Sequence, residues 1–333
     1  MPKTIPVLIV LLLANLAVAD GGGLSRLQEL AKKAGASRET ETQEKVVRPL
    51  PDSVIKLEGI QGLASDPCWG HDNKSILFTL AGERTSKILR KSIDGEELEV
   101  LVESPYYSAD QPDLSPDGRY LAYRSKRHDH RGIWIRRLED GEEGKLTPDL
   151  EVLENSPVWS PSGMKLYFES RKKGSNQSKG MVSNRNGDNL RTLSGDRGEH
   201  SHPAASRDGK KVAWIHRWGP MSQILISQTQ IRGLAKTLPL YDILLSSMDW
   251  TPDSRRLIVS YANQDSPEKG YDLGLLNPDT GKLEPLLDLD PSIICPRLSP
   301  DGSKVVFQSY GSGQSGLMIY SLPDSLAPER KQP

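Results

Sequence analysis

Pro112-Asp113-Leu114-Ser115-Pro116-Asp117-Gly118-Arg119-Tyr120-Leu121-Ala122-Tyr123 decides the fold, because the chain writes variants of this stretch six times. Ungapped counterparts begin at Pro67, Pro157, Pro203, Met248 and Pro296, so successive starts lie 45, 45, 46, 45 and 48 residues apart. Self-similarity at one such period marks a repeat architecture. At its centre, Ser115 to Gly118 is turn chemistry. Proline presets φ, aspartate bonds nearby backbone, and glycine takes the left-handed position of a bulged hairpin. After the turn, Leu121 stands two residues before Tyr123, as Ile76 does before Phe78, Leu166 before Phe168, Val212 before Trp214, Leu257 before Val259 and Val305 before Phe307. Apolar and aromatic residues at period two mean a strand. Before the turn, Trp69, Leu114, Trp159, Ala205, Trp250 and Leu298 share one column, as expected of a short inner strand that buries one side chain against a neighbouring unit.

Working outward, Ile133-Trp134-Ile135, Ile224-Leu225-Ile226 and Leu317-Met318-Ile319 read as third strands. Turns at Asp94-Gly95, Asn186-Gly187 and Asp279-Thr280-Gly281 lead into fourth strands such as Glu97 to Leu101 and Leu283 to Leu287. Four strands of about five or six residues plus connections fill about 45 residues. A four-stranded sheet cannot bury two apolar faces alone, so the copies stack around an axis. The fold expected is all-β, a six-bladed β-propeller over residues 49–322. The last unit holds only three strands before the tail at 323–333, while Val54 to Leu57 stands ten residues ahead of Pro67. The N-terminal segment is therefore expected to supply the final blade's outer strand and close the ring.

Ahead of the propeller, Lys3, the apolar run Val7 to Leu13 and Ala17-Val18-Ala19 before Asp20 read as an export signal over residues 1–19. Residues 20–48 read as a short amphipathic helix, with Leu24, Leu27, Leu30 and Ala31 on one side, followed by a polar tether. The expected location is periplasmic or secreted, with no membrane span after cleavage. The 43 Lys+Arg balance 44 Asp+Glu, and no basic run reaches five, so there is no electrostatic footprint for nucleic acid. Cys68 and Cys295, the two cysteines, fall in inner strands of the blades that meet at closure; a bridge and two buried free thiols are both open.

If the Ser-Pro-Asp-Gly turns share one face, the connections into inner strands and those between second and third strands share the other. That rim gathers Asp110, Gln111, Arg127, His128, His130, Arg131, Asn155, His200, His202, His216, Arg217 and Trp218 as candidate ligand- or partner-binding residues. His200-Ser201-His202 reads either as two imidazoles on one side of an extended segment, as in a metal site, or as a solvated pair. Asp110 and Asn155 either line the channel or cap the chain where it joins a blade. No cofactor is expected, and no catalytic constellation is complete.

The repeated P-x-W-S-P-D-G-x-x-[apolar]-x-[aromatic] pattern, with Arg124 to His128 ahead of Gly132-Ile133-Trp134, resembles the WD-like propeller repeat of the TolB-like family over about residues 46–322. The resemblance implies an exported propeller that binds a partner at its channel mouth, which in TolB itself is a peptidoglycan-associated lipoprotein of the cell envelope. TolB proper carries an α/β domain ahead of its propeller, whereas only the 29 residues of the tether, 20–48, lie between the signal and the propeller here. The same propeller type sits on serine peptidases, but Gly313-Gln314-Ser315-Gly316 does not complete a G-x-S-x-G nucleophile elbow. Two functions follow as expectations. One is a monomeric, non-catalytic module that holds an envelope protein or peptide. The alternative is a propeller enzyme, a metal-assisted lyase or hydrolase acting on acidic polysaccharide, with the histidines as ligands.

Overall fold

The computed structural model describes residues 50–127, 130–147, 151–195, 198–218, 221–230, 235–289, 292–310, 315–323 and 326. The expected signal, helix and tether before Leu50 lie outside the described residues, as does His128. The described strands form six four-stranded antiparallel sheets, the blades of a propeller.

Blade 2 shows how the repeat folds. Its strands are Ser108–Leu114, Tyr120–Arg127, His130–Arg137 and Glu143–Lys145, hydrogen-bonded in chain order. Between the first two, the Ser115 hydroxyl donates to Asp117 at 2.5 Å while accepting the Tyr120 amide, and Gly118 takes φ 71°. Ser206 and Asp208, Thr251 and Asp253, and Ser299 and Asp301 repeat the hydroxyl-to-carboxylate bond at 2.6 to 2.7 Å. Downstream amides cap these carboxylates as well, and all four sit below the usual Asp range.

The core lies between blades, not within them. Six apolar clusters each span two neighbouring sheets. The aromatic column supplies their centres, with Phe78, Tyr123, Phe168, Trp214 and Phe307 fully buried. Trp69, Trp159 and Trp250, in blades 1, 3 and 5, donate their indole N–H to the inner-strand carbonyls of Arg297, Asp113 and Ala204 in the preceding blade, at 2.8 to 3.0 Å. The Trp69 bond joins blade 1 to blade 6, so the ring is closed.

Closure takes the expected form. Val54–Lys56 pairs antiparallel with Gly316–Ser321, Val54 opposite Tyr320 and Ile55 opposite Ile319, and Val54 and Leu57 are buried on either flank. Both cysteines are free thiols. Burial, the largest influence on each, pushes both thiols up to about 12.

Candidate functional site at the channel mouth

Each inner strand edges the central channel, and its sequence builds an irregularity there. Pro67, Pro112, Pro157, Pro203 and Pro296 lack an N–H, which a regular ladder position in mid-sheet does not tolerate. The ladder shifts register just before each of them, and the preceding residue takes a left-handed φ: Asp66 49°, Gln111 52°, Ser156 52°, His202 48° and Cys295 53°. Blade 5 starts its column with Met248 and shows no such φ at Ser247. A left-handed non-glycine residue costs on the order of 1–2 kcal/mol. The neighbouring blade offsets part of this by capping the displaced amides. Gln111 N–H donates to Thr79 Oγ1, Ser156 N–H to Gln111 Oε1, and Cys295 N–H to Ser247 Oγ, at 2.9 to 3.1 Å.

At the rim end, carboxyl groups gather around one arginine. Arg124 grips Asp110 through two bonds of 2.6 and 2.7 Å and reaches Asn155 Oδ1 at 3.0 Å, tying blade 2 to blade 3. Glu169, opposite Asn155 in the ladder, is pushed up to about 7 by burial and then by Glu199, with Arg171 and Arg124 opposing. Burial, and next the charge of Asp110, raise Asp66 as well. At the turn end, ion pairs cross the channel. Arg297 of blade 6 pairs with Asp113 of blade 2. Asp113 also accepts the Trp159 amide at 2.8 Å, and Asp249 accepts the Leu298 amide at 3.0 Å while meeting Arg207 at 3.4 Å.

The sequence-derived candidates do not all gather here. Asp110, Gln111 and Asn155 belong to the network just described. His202 occupies the blade 4 bulge, where burial and then the charges of Arg217 and Arg297 lower its imidazole to about 4. His200 is buried against blade 3, its ring stacked on His216 at 4.6 Å and its Nδ1 2.9 Å from the Ser178 carbonyl oxygen of that blade. The bulge between Ser201 and Ala204 breaks the alternation that would align it with His202. Arg217 donates to the Leu245 carbonyl of blade 5 at 3.1 Å. Arg127 folds back over the Tyr107 and Trp134 rings, 4.0 and 3.4 Å from their centroids, and pairs with Glu143 at 2.7 Å. Arg131 is buried. His130 and Trp218 lie in strands, with side chains outside the described residues. Among the described residues no group of three His, Cys, Asp or Glu is arranged to hold a metal ion.

Arg124, Glu169, Asp113 and Arg297 escaped the sequence reading. A signal for the first two exists one position past the aromatic column, where Thr79, Arg124, Glu169, Ile215, Ser260 and Gln308 are polar in five copies of six. The rim's exposed tyrosines escaped it too. Tyr106 and Tyr241 lie in connections to inner strands, Tyr310 ends a second strand, and their exposures are 89, 72 and 44%. All three therefore stand on the face away from the Ser-Pro-Asp-Gly turns.

Residues 55–258 match the family described as the TolB beta propeller domain. The chain belongs to that family. This TolB-family propeller matches no curated protein. Among solved structures it is similar to TolB from Acinetobacter baumannii, with a TM-score of 0.62 and 21% identity over 76% of this chain and 62% of that one. The putative TolB from Agrobacterium tumefaciens gives 0.63 and 17% over 81 and 97%. An oligogalacturonate lyase from Vibrio parahaemolyticus gives 0.58 and 13%, over 80% of both chains. Identities this low show the shared fold alone, and the TolB-family propeller spans about three fifths of the Acinetobacter TolB.

Proposed function

We propose that the chain is a non-catalytic binding module that works in the periplasm or outside the cell, holding a protein or peptide of the cell envelope on its rim face. One observation carries this reading: the three exposed tyrosines, Tyr106, Tyr241 and Tyr310, share the face on which the rim end of the channel opens. Tyrosine offers large contact area at low entropic cost and is enriched where proteins meet. Family membership and the apolar run at Val7 to Leu13 support the location.

The test is capture from envelope fractions with the wild-type chain and with a Tyr106→Ser/Tyr241→Ser variant of unchanged melting temperature. The partners bound by the wild type should be lost at least tenfold from the variant. Equal recovery would remove the rim from the reading.

The lyase or hydrolase reading draws on the likeness to oligogalacturonate lyase and needs the histidines as ligands. The non-catalytic reading is supported by His200, whose ring stacks on His216 and whose Nδ1 lies 2.9 Å from the Ser178 carbonyl oxygen of blade 3. Elemental analysis after mild dialysis separates the two readings, because a stoichiometric transition metal belongs only to the enzyme.

A further inference from the structure

We propose that the wedge between the outer edges of blades 6 and 1 is a docking groove for the chain's own N-terminal arm, with Leu24, Leu27 and Leu30 seated in it. The inference concerns the outer wall of the ring and stands apart from the rim-binding function.

The groove is defined by register. On blade 1 the outer strand Leu98–Val102 places Val100 opposite Leu89 and Leu98 opposite Lys91. Leu89 belongs to the apolar cluster shared with Ile319 of blade 6, so Leu98 and Val100 turn toward blade 6. On blade 6, Ile55 pairs with that same Ile319 and so turns toward blade 1. These three aliphatic side chains are 44, 48 and 51% exposed, one on one bank and two on the other, above a floor that includes buried Leu57. The wedge on the opposite flank of the closing strand is different. There Leu50 and Leu322, from near the two ends of the described chain, pack over the blade 5 to blade 6 cluster.

Three features of the arm match the open wedge. First, the arm enters the ring beside this wedge, since Leu50, on the blade 5 to blade 6 flank, leads directly into Val54–Lys56, whose Ile55 forms one bank. The 19 residues between Leu30 and Leu50 reach up to about 65 Å when extended, ample to return along the wall. Second, Leu24, Leu27 and Leu30 recur every third residue, the spacing of an apolar stripe on a helix. Third, charge is complementary. In the turn ahead of the outer strand Asp94, Glu96 and Glu97 stand with no cation among them, while Glu99 and Glu103 are already paired with Arg90 and Lys87; Leu24 to Lys33 carries Arg26, Lys32 and Lys33 against Glu29. Burying these aliphatic side chains in the wedge favours the docked arm, and the tether spares it a free-solution encounter.

Hydrogen exchange read by mass spectrometry on the full chain tests this, with wild type compared with Val100→Glu, a change at a half-exposed side chain of the outer strand, and with Leu27→Glu in the arm. In the wild type, amides of residues 24–31 should exchange at least tenfold slower than a synthetic peptide of the same sequence. Either variant should abolish that protection, and Leu27→Glu should also speed exchange at Leu98–Val102. Protection that is absent in the wild type overturns the proposal. So does protection that survives both variants, or that rises with protein concentration as expected for a second copy in the groove.

Discussion

His202 joins a backbone demand to an electrostatic one. Its φ of 48° puts it in the left-handed region, where a non-glycine residue is tolerated best if it is Asn or Asp. Burial and then two guanidinium groups keep its ring neutral, with a pKa lowered to about 4. An unfolded histidine titrates near 6.5, so between about pH 6.5 and 4 the unfolded chain binds a proton that the folded chain refuses. The stability tied to His202 is complete above pH 6.5 and is lost as pH falls through that window. Glu169 slopes the other way, because its folded pKa of about 7 lies above the unfolded value, so its contribution is lost as pH rises toward 7. His202→Asn, which suits the backbone and does not titrate, should therefore flatten the acid limb. In urea unfolding, wild type should lose about 2 kcal/mol more than the variant between pH 7 and pH 4.5. Parallel losses would mean that the ring is charged in the fold.

The hairpin turn between first and second strands is the element that the sequence states most plainly, and also the one whose defects can be repaired. Four turns close with a Ser or Thr hydroxyl donating to an Asp carboxylate that also caps an amide. Blade 3 has Ser162 in the aspartate position. There Ser160 and Ser162 hydroxyls stand 3.1 Å apart, and the Met164 amide meets Ser162 Oγ only at 3.4 Å. Ser162→Asp restores a charge-assisted acceptor at an exposed site and should raise stability by about 0.5–1.5 kcal/mol, read as a higher urea midpoint with unchanged slope. The gain should fade below about pH 4 as the new carboxylate protonates. A lower midpoint at pH 7 would show that the other turns owe their geometry to something besides the aspartate.

The same elements show why the fold was legible and the site only partly so. Turn residues and alternating apolar residues are local signals, repeated six times, so strand order and closure followed from spacing. The channel is made of exceptions to that alternation. A register shift ahead of each proline redirects the side chains on either side of it, so His200 and His202, two apart in sequence, part company. Asp110, Gln111 and Asn155 were visible because they stand one or two positions ahead of the repeat's proline column, although they lie within the inner strands. Arg124 and Glu169 looked like second-strand residues, and their meaning depends on a neighbouring blade. Arg297 and Asp113, 184 residues apart, meet only because the ring is closed.

Closure is therefore what the whole molecule depends on, and a three-residue strand supplies it. Val54–Lys56 covers the last exposed ladder of blade 6, and it buries Val54 into the blade 5 to blade 6 cluster, while adjoining Leu57 enters the cluster shared with blade 1. Burial of those two side chains contributes about 3–6 kcal/mol before any backbone bond is counted. The segment also brings Leu57 N–H to the Leu317 carbonyl and Ser321 N–H to the Ser53 carbonyl, each at 2.9 Å. Deleting residues 50–58 removes all of this at once and leaves Gly316–Ser321 as an unpaired edge, a template for pairing with another chain. For a ring of this size each kcal/mol moves the melting temperature by about 2–4 °C, so a drop of about 10 °C or more is expected in scanning calorimetry. Association that grows with concentration should accompany it. A synthetic peptide of residues 50–58 added in excess should restore much of the melting temperature, because the groove and ladder it needs are intact in the shortened chain. A melt unchanged within about 2 °C would mean that the contacts between blades 6 and 1, including the Trp69 bond to Arg297, hold the ring without its clasp.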